Sequence, residues 1–544
     1  MATEAEVKGE EEKTKIGTEE ATREIMSSIK SRVEASCLEK IEEKEVDIIP
    51  EALVIGGGIA GMYAALDIAD AGFKVHLVER TPTIGGHMAQ LDKTFPTLDC
   101  SACILTPRMV DVSKHPNINL MSYSEIVGVE GSVGNFKVKV KRKPRYVYEK
   151  DWEYGTLCTG CALCEEACRF VYKWPNEFDE NLGKKSSIYR PFPQAIPAVY
   201  CVDPEYCQMI KKGKCGKATL ESTREALEKK KRREEVSKDE APPCVLICEP
   251  NCIDFDMKEE IVELNVGTII VATGYDIIDP NLMPEYKYGV LPNVITGLEF
   301  ERYSSASGPT FGKVIVKGVD RLPKDAVFIS CVGSRNKQTG YEYCSRVCCM
   351  YLAKHAHLLG EKVPDCKITV LYQDVRAFGK GFEEFYDRVK GEGVNYRRGL
   401  ASEIYQKPGS DRVVVRGEDT MLGEPFEIEA DIVVLGVGLK PSAGTDELLK
   451  MLGIGETTDH FAKEAHLKLR PVDTDRGGIF VTGCVQAPRD IPDSVAQGKA
   501  AAAASLSLLA GGKVKIRPSV AEMDEELCVG YKSLGDMAGK IGHK

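Results

Sequence analysis

Residues 52–80, ALVIGGGIAGMYAALDIADAGFKVHLVER, constrain the fold of this 544-residue chain more than any other stretch. Four apolar residues lead into Gly56, Gly57, Gly58 and Gly61. A run of helical periodicity opens with Ile59 and Ala60, and a second apolar strand ends at Glu79 and Arg80. Glycines at this spacing let the backbone close on a pyrophosphate at a helix N-terminus, and an acid ending the second strand can accept from ribose hydroxyls. A Gly-x-Gly-x-x-Gly alone is weak evidence; with strand, helix and acid in place it predicts a parallel α/β sheet that binds a dinucleotide. The alternative is a strand-to-helix turn without a ligand.

Twenty cysteines against eight histidines narrow the chemistry. The chain starts acidic and polar, unlike a signal peptide, and no apolar run approaches the roughly 20 residues of a membrane span. A cytoplasmic protein is therefore expected, and in a reducing compartment many cysteines mean metal or redox sites. Soft thiolates favour zinc or iron–sulfur clusters. LCTGCALCEEACRF carries Cys158, Cys161, Cys164 and Cys168 at C-x2-C-x2-C-x3-C, which wraps three thiolates round one cubane and sends the fourth to a neighbour. Cys207, Cys215, Cys244 and Cys248 look like a second such motif, interrupted at 219–240 by a charged stretch expected to be an exposed helix. Zinc is the alternative, although zinc sites usually pair two separated C-x2–4-C knuckles. Residues 151–256 thus read as an inserted ferredoxin-like domain with two [4Fe-4S] sites.

The stretch CVGSRNKQTGYEYCSRVCC, residues 331–349, sits between an expected strand at 325–330 and an expected helix at 350–359. In a flavoenzyme with two nucleotide sites, a glycine loop would grip NAD(P)H at such a corner. Cys331, Cys344, Cys348 and Cys349 stand there instead. Cys344 and Cys348, four residues apart, are expected to share a face on the first helical turn, with the other two closing a sulfur site. The corner would then pass electrons through a cluster rather than by hydride; plain buried cysteines are the alternative. Residues 316–424 form the expected middle αβ unit, with 367–379 holding its second strand and a strand near Val433 returning the chain to the first domain.

Two later segments complete the dinucleotide site: 265–276, ending in Ala272, Thr273 and Gly274, and 474–504, with Gly483, Cys484, Ile491 and Ser494 before and within a helix. With the fingerprint and the Gly85-Gly86 turn they resemble the two-dinucleotide-binding flavoproteins, which include thioredoxin reductase. That resemblance implies FAD, bound by a domain assembled from 51–150, 257–315 and 425–515. In that family an acid that binds the ribityl chain usually follows the last glycine; here Cys484 stands at that place.

Four stretches point closer: the cysteine corner, TFPTLDCSACILTPRM at 94–109, VRAFGKGFEEFY at 375–386 and PRDIPDSVAQGKAA at 488–501. Over residues 18–520 the chain resembles the A-subunit family of the heterodisulfide reductases. This implies an FAD and iron–sulfur subunit, with about three [4Fe-4S] clusters, whose flavin bifurcates or confurcates electrons between a disulfide branch and a low-potential ferredoxin branch. Implied partners are B- and C-type subunits, a hydrogenase or formate dehydrogenase input module and ferredoxin, with a dimer of this subunit inside a larger complex. The family's reactions include those of methanogenesis. The cysteine-bearing N-terminal domain of the long family form is expected to be missing, residues 1–50 forming a disordered tail and a helix at 18–43. The 516–544 tail starts like another ferredoxin motif, with Cys528 present and Tyr531 at the next ligand position.

A net charge of -11 argues against nucleic acid as the main partner. Cys100 and Cys103 leave three readings open: a redox-active pair, further ligands to the 331–349 site, or packing. His87 is the nearest histidine in sequence. Cys37, Cys201, Cys252, Cys366 and Cys528 are isolated and take no role. Two other functions compete with the leading one: a stand-alone disulfide oxidoreductase using Cys100 and Cys103, and a non-catalytic electron-relay scaffold.

Overall fold

The computed structural model describes residues 44–149, 157–316, 318–319 and 321–516. The expected leading helix with Cys37, and the tail with Cys528 and Tyr531, lie outside them. Ile48–Gly512 is the main compact unit; Lys44–Asp47 and Lys513–Ile516 pair antiparallel in a separate unit.

The fingerprint strand, Glu51–Ile55, sits at the centre of a five-stranded parallel sheet. Across the sheet run Ile479–Val481, Thr268–Val271, Glu51–Ile55, Lys74–Val78 and Ile118–Met121. All of these strands but the edge strand Ile118–Met121 are near-continuous runs of buried residues, as expected where helices cover both faces. Numbered along the chain, their spatial order is 5-4-1-2-3, that of a doubly wound dinucleotide fold. The order reverses between Glu51–Ile55 and Thr268–Val271, which places a ligand crevice at their carboxyl ends. The predicted α/β fold class is what the chain adopts.

A second parallel sheet runs Val294–Thr296, Ile432–Val437, Asp325–Val332, Lys367–Tyr372, Asn395–Arg398. Its strands span more of the chain than the expected 316–424. Ile432–Val437, expected to return to the first domain, lies inside this sheet between Val294–Thr296 and Asp325–Val332. A fully buried apolar run fits either parallel sheet equally well, and only tertiary pairing decides. The two sheets are linked by the short pair Tyr275–Ile277 and Leu439–Pro441.

Residues 157–256 leave and rejoin the first half between two strands that already pair. Asn135–Arg142 lies antiparallel to Glu260–Val266, with Arg142 opposite Glu260. Ends held so close let a long excursion be spliced in at little entropic cost. Inside it, Leu220–Lys231 is a helix capped by Thr219 and Ser222 at its start, as the charged stretch predicted. It ends at Lys231, nine residues short of the charged stretch.

Candidate cofactor cavity and thiol clusters

The glycine loop holds its shape through close contacts. Gly56 has φ +110°, and a Cβ there would lie 2.3 Å from the Ala272 carbonyl oxygen; at Gly61 one would lie 2.0 Å from the Gly56 oxygen. At Gly58, the residue capping the Ile59–Asp70 helix, a Cβ would meet no protein atom within 4 Å. Glu79 steadies the loop: one carboxylate oxygen accepts from Gly57 N at 2.8 Å, the other from Thr81 N at 2.8 Å.

The loop opens on a cavity of about 910 Å³. Every residue assigned to FAD from sequence lines it except Gly57 and Gly61, whose work is within the loop. The cavity also reaches residues that sequence did not single out. Phe178, Tyr189 and Phe192 come from the inserted segment, and Glu301, Tyr351, Lys354 and His355 from the second half. Three of its lining residues carry buried polar atoms without a protein partner: His355 Nδ1, Thr482 Oγ1 and Arg489 Nε. An open cradle at Gly58, a helix N-terminus and orphaned polar atoms fit a large phosphate-bearing ligand such as FAD. Cys484 does line the wall, its thiol donating to the Arg489 carbonyl at 3.4 Å, and Asp490 brings a carboxyl there. His87 uses both ring nitrogens, toward Gln90 Oε1 at 2.6 Å and the Tyr275 carbonyl at 2.8 Å.

A charged cluster forms one wall. Glu301 Oε1 takes both Lys354 Nζ and His355 Nε2, and Oε2 accepts from Asp92 N at 3.0 Å. Lys354 also donates to the Lys93 carbonyl at 2.8 Å. Burial opposes ionisation of Glu301, yet Lys354 and His355 outweigh it and hold the carboxyl low, at about 2. Burial pushes His355 down against the pull of Glu301. A neutral imidazole beside a Lys354–Glu301 ion pair satisfies both tendencies.

Helix Cys348–Lys362 carries Tyr351, Lys354 and His355 to that wall and starts at the cysteine corner. Cys344 precedes the helix instead of sitting on its first turn. The chain turns through Arg346, at φ +62°, and Val347 caps the helix. Cys331 stands where the register of its strand shifts against Ile432–Val437, at φ +60°. A bulge there re-aims a side chain that a regular strand would bury in the sheet. Burial raises the thiols of Cys331, Cys348 and Cys349, the last to about 11, and Cys344 lies close enough to reinforce each. All four thiols therefore share one neighbourhood. Tyr351 bridges it to the cavity, bonding Cys348 and donating to the Val437 carbonyl at 2.7 Å.

The inserted segment holds two more thiol sets, sorted as a crossed pair of ferredoxin motifs would sort them. Burial is the main cause raising Cys164, whose thiol neighbours are Cys158, Cys248 and Cys161; Cys244 is likewise raised, beside Cys207, Cys168 and Cys215, with Cys164 of the first set as the least of its thiol neighbours. The last cysteine of each motif thus joins the other's set. Cys252, without a role in the sequence reading, lies 3.5 Å from Cys248 and bonds Cys158 as well. Those bonds, outweighing burial, bring both Cys158 and Cys248 down to about 6. Its position four residues past Cys248 was the available signal. Among the described residues no three of these side chains converge on a point as they would round a single ion. A four-iron cubane, whose own body separates its thiolates, does not require that.

Cys100 and Cys103 are exposed at the start of helix Ser101–Lys114, their sulfurs 2.6 Å apart. They lie outside the cavity lining; Cys100 pairs with Lys93 in a short hairpin whose next residue, Thr94, lines the cavity.

A model for an NAD(P)-binding Rossmann-like domain matches residues 54–116. The A subunit of the H(2):CoB-CoM heterodisulfide,ferredoxin reductase of Methanothermobacter thermautotrophicus is 47% identical over 514 residues, covering 94% of this chain and 72% of its own length. An iron-sulfur A subunit of the CoB--CoM heterodisulfide reductase of Methanopyrus kandleri is 49% identical over 497 residues, 91% of this chain and 70% of its own length. Among solved structures, T. acidophilum thioredoxin reductase covers 84% of this chain and 99% of its own, at 13% identity and a TM-score of 0.45. That likeness is too loose to add to the sheet order above.

Proposed function

The chain belongs to the A-subunit family of the heterodisulfide reductases, and from that premise we propose that it is the FAD-bearing iron–sulfur subunit of a heterodisulfide reductase-type complex. It is an oxidoreductase that bifurcates or confurcates electrons between a disulfide-reducing branch and a low-potential ferredoxin branch. One observation carries this reading. A single helix gives Cys348 and Cys349 to the thiol corner and Tyr351, Lys354 and His355 to the cavity wall, so a flavin and a cluster would be neighbours.

When bound, FAD supplies the passage between two-electron and one-electron transfer that such division needs. The chain's part is to hold and tune. Gly58 and the helix behind it would receive the pyrophosphate, and Glu79 the ribose. Lys354, fixed by its ion pair with Glu301, sets a positive charge at the wall. Cys158, Cys161, Cys164 and Cys248 would ligate one four-iron cluster, Cys168, Cys207, Cys215 and Cys244 a second, and Cys331, Cys344, Cys348 and Cys349 a third. B- and C-type subunits, a hydrogenase or formate dehydrogenase module, ferredoxin and a second copy of this chain complete the proposed assembly. The test is the assembled complex given reductant, disulfide and oxidised ferredoxin. Ferredoxin reduction that stops when the disulfide is withheld supports the coupling; reduction indifferent to the disulfide refutes it.

A second reading, a disulfide oxidoreductase acting alone through Cys100 and Cys103, draws on their exposure and 2.6 Å separation. Disulfide reduction by the isolated chain, abolished in Cys100→Ser, would put it ahead.

A further inference from the structure

The first thiol set contains five sulfurs where its motif asks for four. Cys252 is 3% exposed and shares a small cavity with Cys158, Cys161, Cys164 and Cys248. It approaches Cys248 at 3.5 Å within that cavity, so it lies against the sulfurs of the set. The chain after Cys248 turns back to make this possible. The Asn251 N–H donates to the Cys248 carbonyl at 3.2 Å, Asn251 has φ +55°, and the Cys252 carbonyl accepts from Tyr148 N at 2.9 Å. Lys230 holds the same turn, donating to the carbonyl of Cys248 at 2.7 Å. Cys252 is thus fixed by backbone on both sides and is not a loose neighbour.

We propose that Cys252 is a positioning residue of the first cluster site, a non-ligand thiol whose S–H donates to the ligand sulfur of Cys248. This rests on the reading that Cys158, Cys161, Cys164 and Cys248 hold a four-iron cluster. Four thiolates complete such a cluster, which leaves a fifth sulfur no iron to bind. A thiol carries one S–H donor, and thiolates are its strongest acceptors here. Hydrogen bonds to ligand sulfurs favour the more negative, reduced cluster and raise its potential. Among the described residues, the set of Cys168, Cys207, Cys215 and Cys244 has no fifth thiol bonded to it in this way. The two neighbouring clusters would accordingly sit at different potentials, giving electrons a direction across the inserted segment.

The experiment is an EPR-monitored redox titration of the anaerobically purified full chain, with iron analysis, on wild type, Cys252→Ala and Cys252→Ser. Cys164→Ala identifies the signal of the first site. Cys252→Ala should keep its iron and shift that midpoint negative. At the wild-type midpoint its reduced-to-oxidised ratio should fall about tenfold, 59 mV for one electron. Cys252→Ser, with a hydroxyl donor in place, should recover most of the shift, and the second site's midpoint should not move. An unchanged midpoint in Cys252→Ala overturns the proposal. So does the loss of about four irons in that variant with none lost in Cys248→Ala, which would make Cys252 the ligand. Iron content unmoved by Cys164→Ala would instead remove the cluster reading itself, and the donor role with it.

Discussion

A methyl group on Gly61 would collide with the Gly56 carbonyl, whereas one on Gly58 would meet only open cavity. The same substitution should therefore fail in two different ways. Gly61→Ala should unfold at lower urea and lose flavin as a consequence. Gly58→Ala should match the wild-type urea midpoint and bind FAD at least about tenfold more weakly, the equivalent of 1.4 kcal/mol; flavin titration beside urea unfolding separates the two. The Glu301 cluster makes a similar point about charge. Lys354→Met leaves a fully buried carboxylate without its cation and should cost about 3 kcal/mol in unfolding free energy, with Glu301→Gln in the same background restoring part of it. Acidification probes two buried imidazoles, His355 beside Glu301 and His76 beside Glu51. Burial depresses both His355 and His76, so below about pH 6.5 the unfolded chain binds protons that the folded chain refuses, and stability falls. Tm should drop between about pH 7.5 and 5.5, and less in His355→Gln. The contribution of Glu301 has the same sign but acts lower, present above its unfolded value of about 4.3 and lost toward about 2.

At the scale of elements, the glycine loop and its flanking strands were legible because spacing, periodicity and a closing acid all pointed one way. The cysteine corner was legible in composition but not in geometry. No sequence rule places a bulge at Cys331, and the helix start could not be fixed to the residue when Ser345, Arg346 and Val347 resolve it through a left-handed turn. Lys354 and His355 were hidden for another reason. A lysine on a helix is ordinarily solvated, and only the packing of helix Gly297–Ser304 against Cys348–Lys362 buries it on Glu301. Cys252 was passed over because the ferredoxin spacing was already complete without it. Arg302, on that same first helix, shows what attaches the inserted segment. It donates to Asp179 at 2.9 Å and to the Gln90 carbonyl at 2.9 Å, with its guanidinium 4.8 Å over the Phe178 ring. Arg302→Met should loosen the segment from the cavity, seen as faster proteolysis near Phe178 and weaker flavin binding.

Across the whole molecule, two parallel sheets supply one dinucleotide cavity and one thiol corner, and the spliced segment adds two further thiol sets. Fold class and the residues of the first sheet's crevice could be read from the chain. The boundary between the sheets could not, because buried parallel strands from either half carry the same apolar signature. Among the described residues no helix is long and apolar enough to cross a membrane. The central claim is that this architecture joins one flavin to three clusters, the third replacing a nicotinamide loop. The most direct test is the iron and flavin content of anaerobically purified chain, with EPR of the reduced form, before and after Cys344→Ala. The account predicts about twelve irons and one FAD, falling by about four irons in the variant with the flavin retained. About eight irons, unchanged by the substitution, would contradict it and leave the corner at Cys331, Cys344, Cys348 and Cys349 without a cluster.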